Sequence, residues 1–202
     1  MVGEVNGPAS GNEHYNQPAA GFQFSLPREK FVAGPCRGTG RIPGSVIRYR
    51  PNVALILRRD DGHVLIGERS DIAGAWQFPQ GGVDPGESAE EALAREVWEE
   101  ISLPATAYRV VEKRGPYRYE YSNGRMKAGC GGQEQTYFLA DFLGEDRALL
   151  VDPSTVEFRA VRWIDPADFP LEAVAPMKQE VYRAVLRDFF GVEFAPIREI
   201  SE

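Results

Sequence analysis

The chain has 202 residues and a mass of 22.5 kDa, with 43% apolar and 26% charged residues, enough for one globular domain with its own core. Lys and Arg number 23 against 30 Asp and Glu, a net charge of −7, which excludes a protein that coats nucleic acid through its overall charge and makes stable DNA binding unexpected. Cys36 and Cys130 stand far apart with no second pair, so neither a disulfide scaffold nor a zinc site is spaced here.

No run approaches the roughly eighteen apolar residues that a membrane helix needs, so no membrane partner is expected. Met1-Val2-Gly3-Glu4 lacks the basic start and apolar stretch of a secretory signal, and the expected compartment is the cytoplasm. Residues 1–45 hold eight Gly and five Pro, a density far above that of the remaining chain. They are read as an N-terminal arm or tail, with residues 46–202 as the folded domain. Phe22, Phe24, Leu26, Phe31 and Val32 are the apolar exceptions, suited to docking the arm. There are no internal repeats.

From Arg48 the texture changes. Val53-Ala54-Leu55-Ile56-Leu57 has the length of a strand, Asp60-Asp61-Gly62 supplies a turn, and His63-Val64-Leu65-Ile66 follows as a second strand, which together predict a hairpin. A turn-rich loop, Phe78 to Glu87, leads into a helix over Ser88 to Ile101. Further strands are expected at Tyr108 to Glu112, Thr136 to Phe142 and Val161 to Ile164, and a second helix from about Met177 to Phe190. Strands mixed with two well-separated helices predict an α/β or α+β sandwich.

The first helix carries the chemistry. Ser88-Ala89-Glu90-Glu91 is a capping box, and Ala89, Ala92, Leu93, Val97 and Ile101 recur on one side at helical spacing. Glu96, Glu99 and Glu100 stand at i, i+3 and i+4, so their carboxylates leave from one patch. Such a patch is either a solvated face or a site for a cation. With oxygen ligands alone, that cation is a hard one such as Mg²⁺ or Mn²⁺. The preceding loop, Phe78-Pro79-Gln80-Gly81-Gly82-Val83-Asp84-Pro85-Gly86-Glu87, can bring backbone close to a phosphate or metal.

Gly81, five residues, Glu87, seven residues, then Arg95-Glu96-Val97-Trp98-Glu99-Glu100-Ile101 resembles the Nudix box of nucleoside diphosphate-linked hydrolases. Ser102 departs from the pattern, which has Gly there to end the helix in a left-handed conformation; Ser should cost about 1 kcal/mol or a changed exit. The resemblance implies an α/β/α sandwich with a mixed sheet between helices, and an enzyme that hydrolyses a phosphoanhydride. It implies Glu96, Glu99, Glu100 and the Gln80 carbonyl as ligands of Mg²⁺, with Mn²⁺ an alternative. Gly81, Glu87 and Arg95 would be structural in the motif, Glu87 and Arg95 orienting loop and helix by pairing. Glu96 and Glu157 are the two candidates for taking the proton of the attacking water.

Arg50-Pro51-Asn52-Val53, Trp76 to Gly82, Glu157-Phe158, Arg162-Trp163, and Lys178 with Val181-Tyr182 extend the likeness to the branch of bacterial RNA 5′-pyrophosphohydrolases and diadenosine polyphosphate hydrolases. That branch implies phosphate contacts from Arg50 and Arg69, substrate near Tyr119 and Lys178, and Glu157 near the metals. Met177 stands where the branch has Phe, which weakens base stacking there.

Arg109 to Lys127 holds six cations against two acids, and Tyr117, Tyr119 and Tyr121 alternate. This is either a basic groove with stacking rings for a base or RNA end, or a hairpin whose tyrosines pack on the core. Gly129 to Gly132 is read as a flexible loop. The leading expectation is a hydrolase of RNA 5′-triphosphate ends or dinucleoside polyphosphates. A hydrolase of smaller nucleotides, such as a nucleotide sugar or nucleoside triphosphate, is the alternative. A non-catalytic nucleotide-binding regulator would show loss of a metal glutamate, and none is lost. The sequence leaves oligomeric state open.

Overall fold

The computed structural model describes residues 47–144 and 157–195; the arm expected over residues 1–45 lies outside the described residues. Seven strands form one mixed sheet: β1 (Tyr49–Arg58), β2 (Val64–Arg69), β3 (Trp76–Gln77), β4 (Gln80–Gly82), β5 (Tyr108–Glu120), β6 (Gly132–Phe142) and β7 (Phe158–Ile164). Two helices accompany it, α1 (Ala89–Ile101) and α2 (Pro176–Phe190). The strand order is β3-β2-β1-β6-β5, with β4 paired to β1 and β7 to β2.

Strand β1 explains its own unbroken apolar run. Val53, Leu55 and Leu57 face one core with Ala92, Leu93, Val97 and Ile101 of α1. Ala54 and Ile56 face the other, with Val181, Tyr182, Val185 and Leu186 of α2. A strand covered on both faces shows no alternation of apolar and polar residues. The α/β/α sandwich is therefore borne out.

The expected hairpin forms only at its turn. Arg58 pairs with Val64, antiparallel, but the body of β1 runs parallel to β6 from Tyr49↔Gly132 to Arg58↔Asp141, and β2 turns to β3 and β7. Turn chemistry fixed the reversal, while tertiary pairing chose the neighbours. The expected loop after Phe78 contains a short strand, β4, laid antiparallel on β1 with Val53 opposite Gly81.

The Gly129–Gly132 stretch is not simply a flexible loop. Gly131 N–H donates to Arg48 O at 2.9 Å, and Gly132 opens β6, where a Cβ would fall 2.2 Å from Tyr119 O. Cys130 is buried; Cys36 lies outside the described residues. Among the described residues, no helix is long and apolar enough to cross a membrane.

Candidate active site

The capping box forms as the sequence predicts. Ser88 Oγ accepts from Glu91 N–H at 3.2 Å and Glu91 Oε2 accepts from Ser88 N–H at 2.8 Å, which fixes where α1 begins. Ser102 ends the helix at φ 53°, ψ 26°, and its N–H returns to Trp98 O. The left-handed exit is thus kept without glycine, at the strain expected of a residue with a Cβ.

Glu87 and Arg95 are paired in a bidentate fashion, Nε to Oε1 at 2.9 Å and Nη2 to Oε2 at 2.8 Å. Arg95 Nη2 also donates to Gly82 O at 2.9 Å, and Glu87 Oε2 accepts from Asp84 N–H at 2.9 Å. These bonds tie the loop, strand β4 and α1 into one unit, as fork-to-carboxylate pairing does well. The Arg95 guanidinium holds the Glu87 carboxyl below the usual carboxylate range.

The three glutamates differ in setting. Glu96 accepts from Arg95 Nη1 at 2.7 Å, and burial pushes its carboxyl above the usual range, with the Arg95 hydrogen bond opposing. Glu100 is buried and accepts from the main-chain N–H of Gln80 at 2.9 Å. Glu99, 3.7 Å from Arg95, leaves its side chain 56% exposed. Among the described residues, no three Asp, Glu, His or Cys side chains are gathered as a ready-made metal site. The donor chemistry nonetheless fits a hard cation. Glu96, destabilised by burial, with Glu99 and Glu100 on the same helix offers only oxygen donors, and the motif implies the Gln80 carbonyl as a fourth.

The paired glycines have a reason beyond turn formation. A Cβ on Gly81 would lie 1.8 Å from Glu96 Cδ, and one on Gly82 would lie 1.9 Å from Arg50 Nη2. Only a bare backbone lets the carboxylate and the guanidinium lie across β4. Gly81→Ala should therefore push aside the end of the Glu96 side chain, lowering turnover at least tenfold at a stability cost below about 1.5 kcal/mol. Turnover and a urea melt measured on the same preparation check this.

Arg50, Arg69 and Lys178 come to this side of the domain. Arg50 acts electrostatically on Glu96 and Tyr119, and its buried Nε has no hydrogen-bond partner among the described residues. Lys178 is 8% exposed at the start of α2. Burial, with Arg69 and Lys127, lowers its pKa to about 8, while Glu100 and Glu157 oppose that. Arg69 is held by Asp71 through two bonds, Nε to Oδ1 at 2.8 Å and Nη2 to Oδ2 at 2.5 Å, and also feels Glu157. Glu157 is anchored by its carbonyl, which accepts from Ser70 N–H at 2.9 Å.

The tyrosine stretch takes the second of its two readings. Tyr117 and Tyr119 of β5 and Tyr121 just past its end do share a side, but that side packs on the core under α2. Tyr119 is 6% exposed, donates to Gln133 Oε1 and lies under Lys178 Nζ, 5.4 Å from the ring centroid. The basic residues are largely neutralised: Arg109 by Asp141, Lys113 by Glu90, Arg114 by Glu112 and Arg118 by Glu134. An open basic groove over the whole of Arg109 to Lys127 is therefore corrected. Ion pairs within β5 and to one neighbouring strand and one helix engage four of the six cations.

A group of residues without an assigned role also stands out. Asn52, Gln77 and Gln135 are buried beneath the site, and Gln135 Nε2 donates to Asn52 Oδ1 at 2.8 Å and to Gln80 Oε1. The available signal was a polar residue at a core-facing position of a strand: Gln135 shares its face with Tyr137 and Leu139.

A family model described as NUDIX domain matches residues 48–187. The chain belongs to the Nudix family. The RNA pyrophosphohydrolase of Sphingopyxis alaskensis is 37% identical over 147 residues, 70% of this chain and 92% of that protein. The RNA pyrophosphohydrolase of Erythrobacter litoralis is 38% identical over 152 residues, 71% of this chain and 92% of that one. Among solved structures, the dihydroneopterin triphosphate pyrophosphohydrolase of E. coli aligns at a TM-score of 0.55 with 22% identity, covering 70% of this chain and 97% of that chain, a likeness of fold. The expected enzyme class, a Nudix pyrophosphohydrolase, is borne out, and the family works with divalent metal ions.

Proposed function

We propose that this Nudix enzyme uses Mg²⁺ to hydrolyse a phosphoanhydride bond at triphosphorylated 5′ ends of RNA in the cytoplasm. The observation that carries this reading is a local cluster of cations in a protein of net charge −7: Arg50 beside Glu96, and Lys178 near Glu100, Glu157 and Arg69, with Arg50 Nε buried and without a hydrogen-bond partner among the described residues. A buried guanidinium N–H without an acceptor is a costly feature, which a phosphate oxygen relieves. The relatives that are alike over more than two thirds of this chain carry the name RNA pyrophosphohydrolase.

Glu96, Glu99, Glu100 and the Gln80 carbonyl would hold the metal. When bound, Mg²⁺ neutralises phosphate charge and lowers the pKa of a coordinated water. Arg50 and Arg69 bind and orient the phosphates by their planar forks. Lys178 adds a point charge that burial strengthens, because little water lies between it and a phosphate. Glu96 and Glu157 are the two candidates that would take the attacking water's proton as its oxygen bonds to phosphorus and the P–O bond to the leaving phosphate breaks. Glu87 and Arg95 hold α1 against β4 throughout.

The test compares phosphate and pyrophosphate release with Mg²⁺ from 5′-triphosphorylated RNA and from diadenosine tetraphosphate at equal concentration. Faster attack on RNA is the expected result. Faster attack on the dinucleotide would overturn the RNA assignment and make the protein a nucleotide-housekeeping hydrolase.

A further inference from the structure

Buried side-chain amides are unfavourable in a sheet interior unless every donor and acceptor is used. Asn52 and Gln135 are direct partners across the parallel ladder of β1 and β6. They are 5% and 0% exposed and share their face with Ala54, Ile56, Tyr137 and Leu139. Apolar residues would be the simpler choice at both positions. Instead, the hydrogen-bonding capacity of Gln135 is directed to defined partners. Its Nε2 donates to Asn52 Oδ1 at 2.8 Å and to Gln80 Oε1, and its Oε1 accepts from Tyr137 O–H at 3.1 Å. With these three partners the amide has one orientation.

The chain of bonds ends at the catalytic loop. Gln80 Nε2 donates to Gln77 Oε1 at 2.9 Å, so the Gln80 side chain is clamped from both ends. Its main-chain N–H holds Glu100 at 2.9 Å, and its carbonyl belongs to the donor set. We propose that Gln135 is a positioning residue of the metal site: by gripping the Gln80 side chain it fixes the Gln80 main chain and, through that N–H, the Glu100 carboxylate. The inference rests on the metal-site reading above. Outer groups of this kind typically change metal affinity by 10- to 100-fold.

The experiment measures Mn²⁺ binding to the full chain by the loss of the free-ion EPR signal, in wild type, Gln135→Met, Gln80→Met and the double variant. Methionine keeps length and removes the hydrogen bonds. Gln135→Met is expected to weaken Mn²⁺ binding about tenfold or more and to lower kcat by a similar factor, with KM for triphosphorylated RNA within about threefold. Because Gln135 acts through the Gln80 amide, adding Gln135→Met to Gln80→Met should weaken binding by less than about twofold. Unchanged affinity in Gln135→Met, or full additivity in the double variant, overturns the proposal. A merely structural role would lower Tm and leave Mn²⁺ affinity of the folded fraction intact. If Gln135→Met does not fold, Gln80→Met alone removes the amide that Gln135 grips, and unchanged affinity there overturns the proposal equally. Wild-type protein that bound no Mn²⁺ would defeat the metal-site reading and this inference together, whereas wild-type binding matched by Gln135→Met defeats the positioning role alone.

Discussion

Glu100→Gln should lower turnover roughly a thousandfold or more while the protein stays folded, since the several kcal/mol of charge stabilisation that a metal ligand supports correspond to that factor. The reason for intact folding lies in the local bond. Glu100 is buried and receives the Gln80 N–H at 2.9 Å, and a glutamine at 100 offers an amide oxygen to the same donor. The substitution also removes a buried negative charge from a helix face that carries Glu96 and Glu99, easing repulsion in the metal-free protein. Paired measurements decide it: turnover with Mg²⁺ present, and a thermal melt without metal. A variant that unfolded, or one that kept most of its turnover, would count against Glu100 as a ligand.

Lys178→Met should stabilise the metal-free protein at pH 7 by about 1–3 kcal/mol and cost at least tenfold in kcat/KM. Lys178 is buried, and burial first, then Arg69, lowers its pKa to about 8 in the folded state, against an unfolded value of about 10.4. Between those values the unfolded chain binds more protons, so this lysine makes stability rise with pH across that window. The penalty for burying its charge is fully present below about pH 8 and relieved as pH rises towards the unfolded value; methionine removes it at every pH. Activity runs the other way. The charged form is the one that attracts phosphate, so kcat/KM should fall above about pH 8 as the free enzyme loses that proton. Lys178→Arg should abolish this limb, because a guanidinium does not give up its proton in the range. A limb that survives in Lys178→Arg would assign it to another group.

The contrast between these two residues shows where the sequence was legible. Glu100 lies in a helix whose start is written in Ser88 to Glu91 and whose buried side follows from Ala92, Leu93, Val97 and Ile101. Helical geometry puts residues three and four apart on one side, so the shared face of Glu96, Glu99 and Glu100 follows from spacing, while the Glu87–Arg95 pairing was implied by the motif and forms in the structure. The burial of Lys178 depends instead on α2 closing over the tyrosine face of β5, a contact between segments far apart in the chain. The same is true of the tyrosines. Their alternation fixed that they share a face, but whether rings stack on a base or on the core depended on where α2 lies.

Charge behaved in the same way. The six cations of Arg109 to Lys127 read as a basic surface along the chain, yet Asp141, Glu90 and Glu134, brought in by β6 and α1, pair with three of them, and Glu112 pairs with Arg114 within β5. Linear charge density carries no information about neighbours across a sheet, where the partner stands about 5 Å away whatever its place in the sequence. The glycines of β4 make the complementary case. Gly81 and Gly82 were legible as points of close approach, and only the tertiary structure named what approaches: the Glu96 carboxylate and the Arg50 guanidinium.

The sequence by itself determined the acidic helix with its cap and the motif that marks the family, because each rests on short-range periodicity or on fixed spacing within one segment, and the α/β/α layering and the Glu87–Arg95 clamp came with the resemblance that motif carries. The tertiary structure alone decided the parallel pairing of β1 with β6, the buried amides that reach from Gln135 to Gln80, and the low-dielectric setting of Lys178. Each of these depends on segments distant in sequence meeting at a set register, and neither propensity nor charge count encodes a register between strands that do not share a turn.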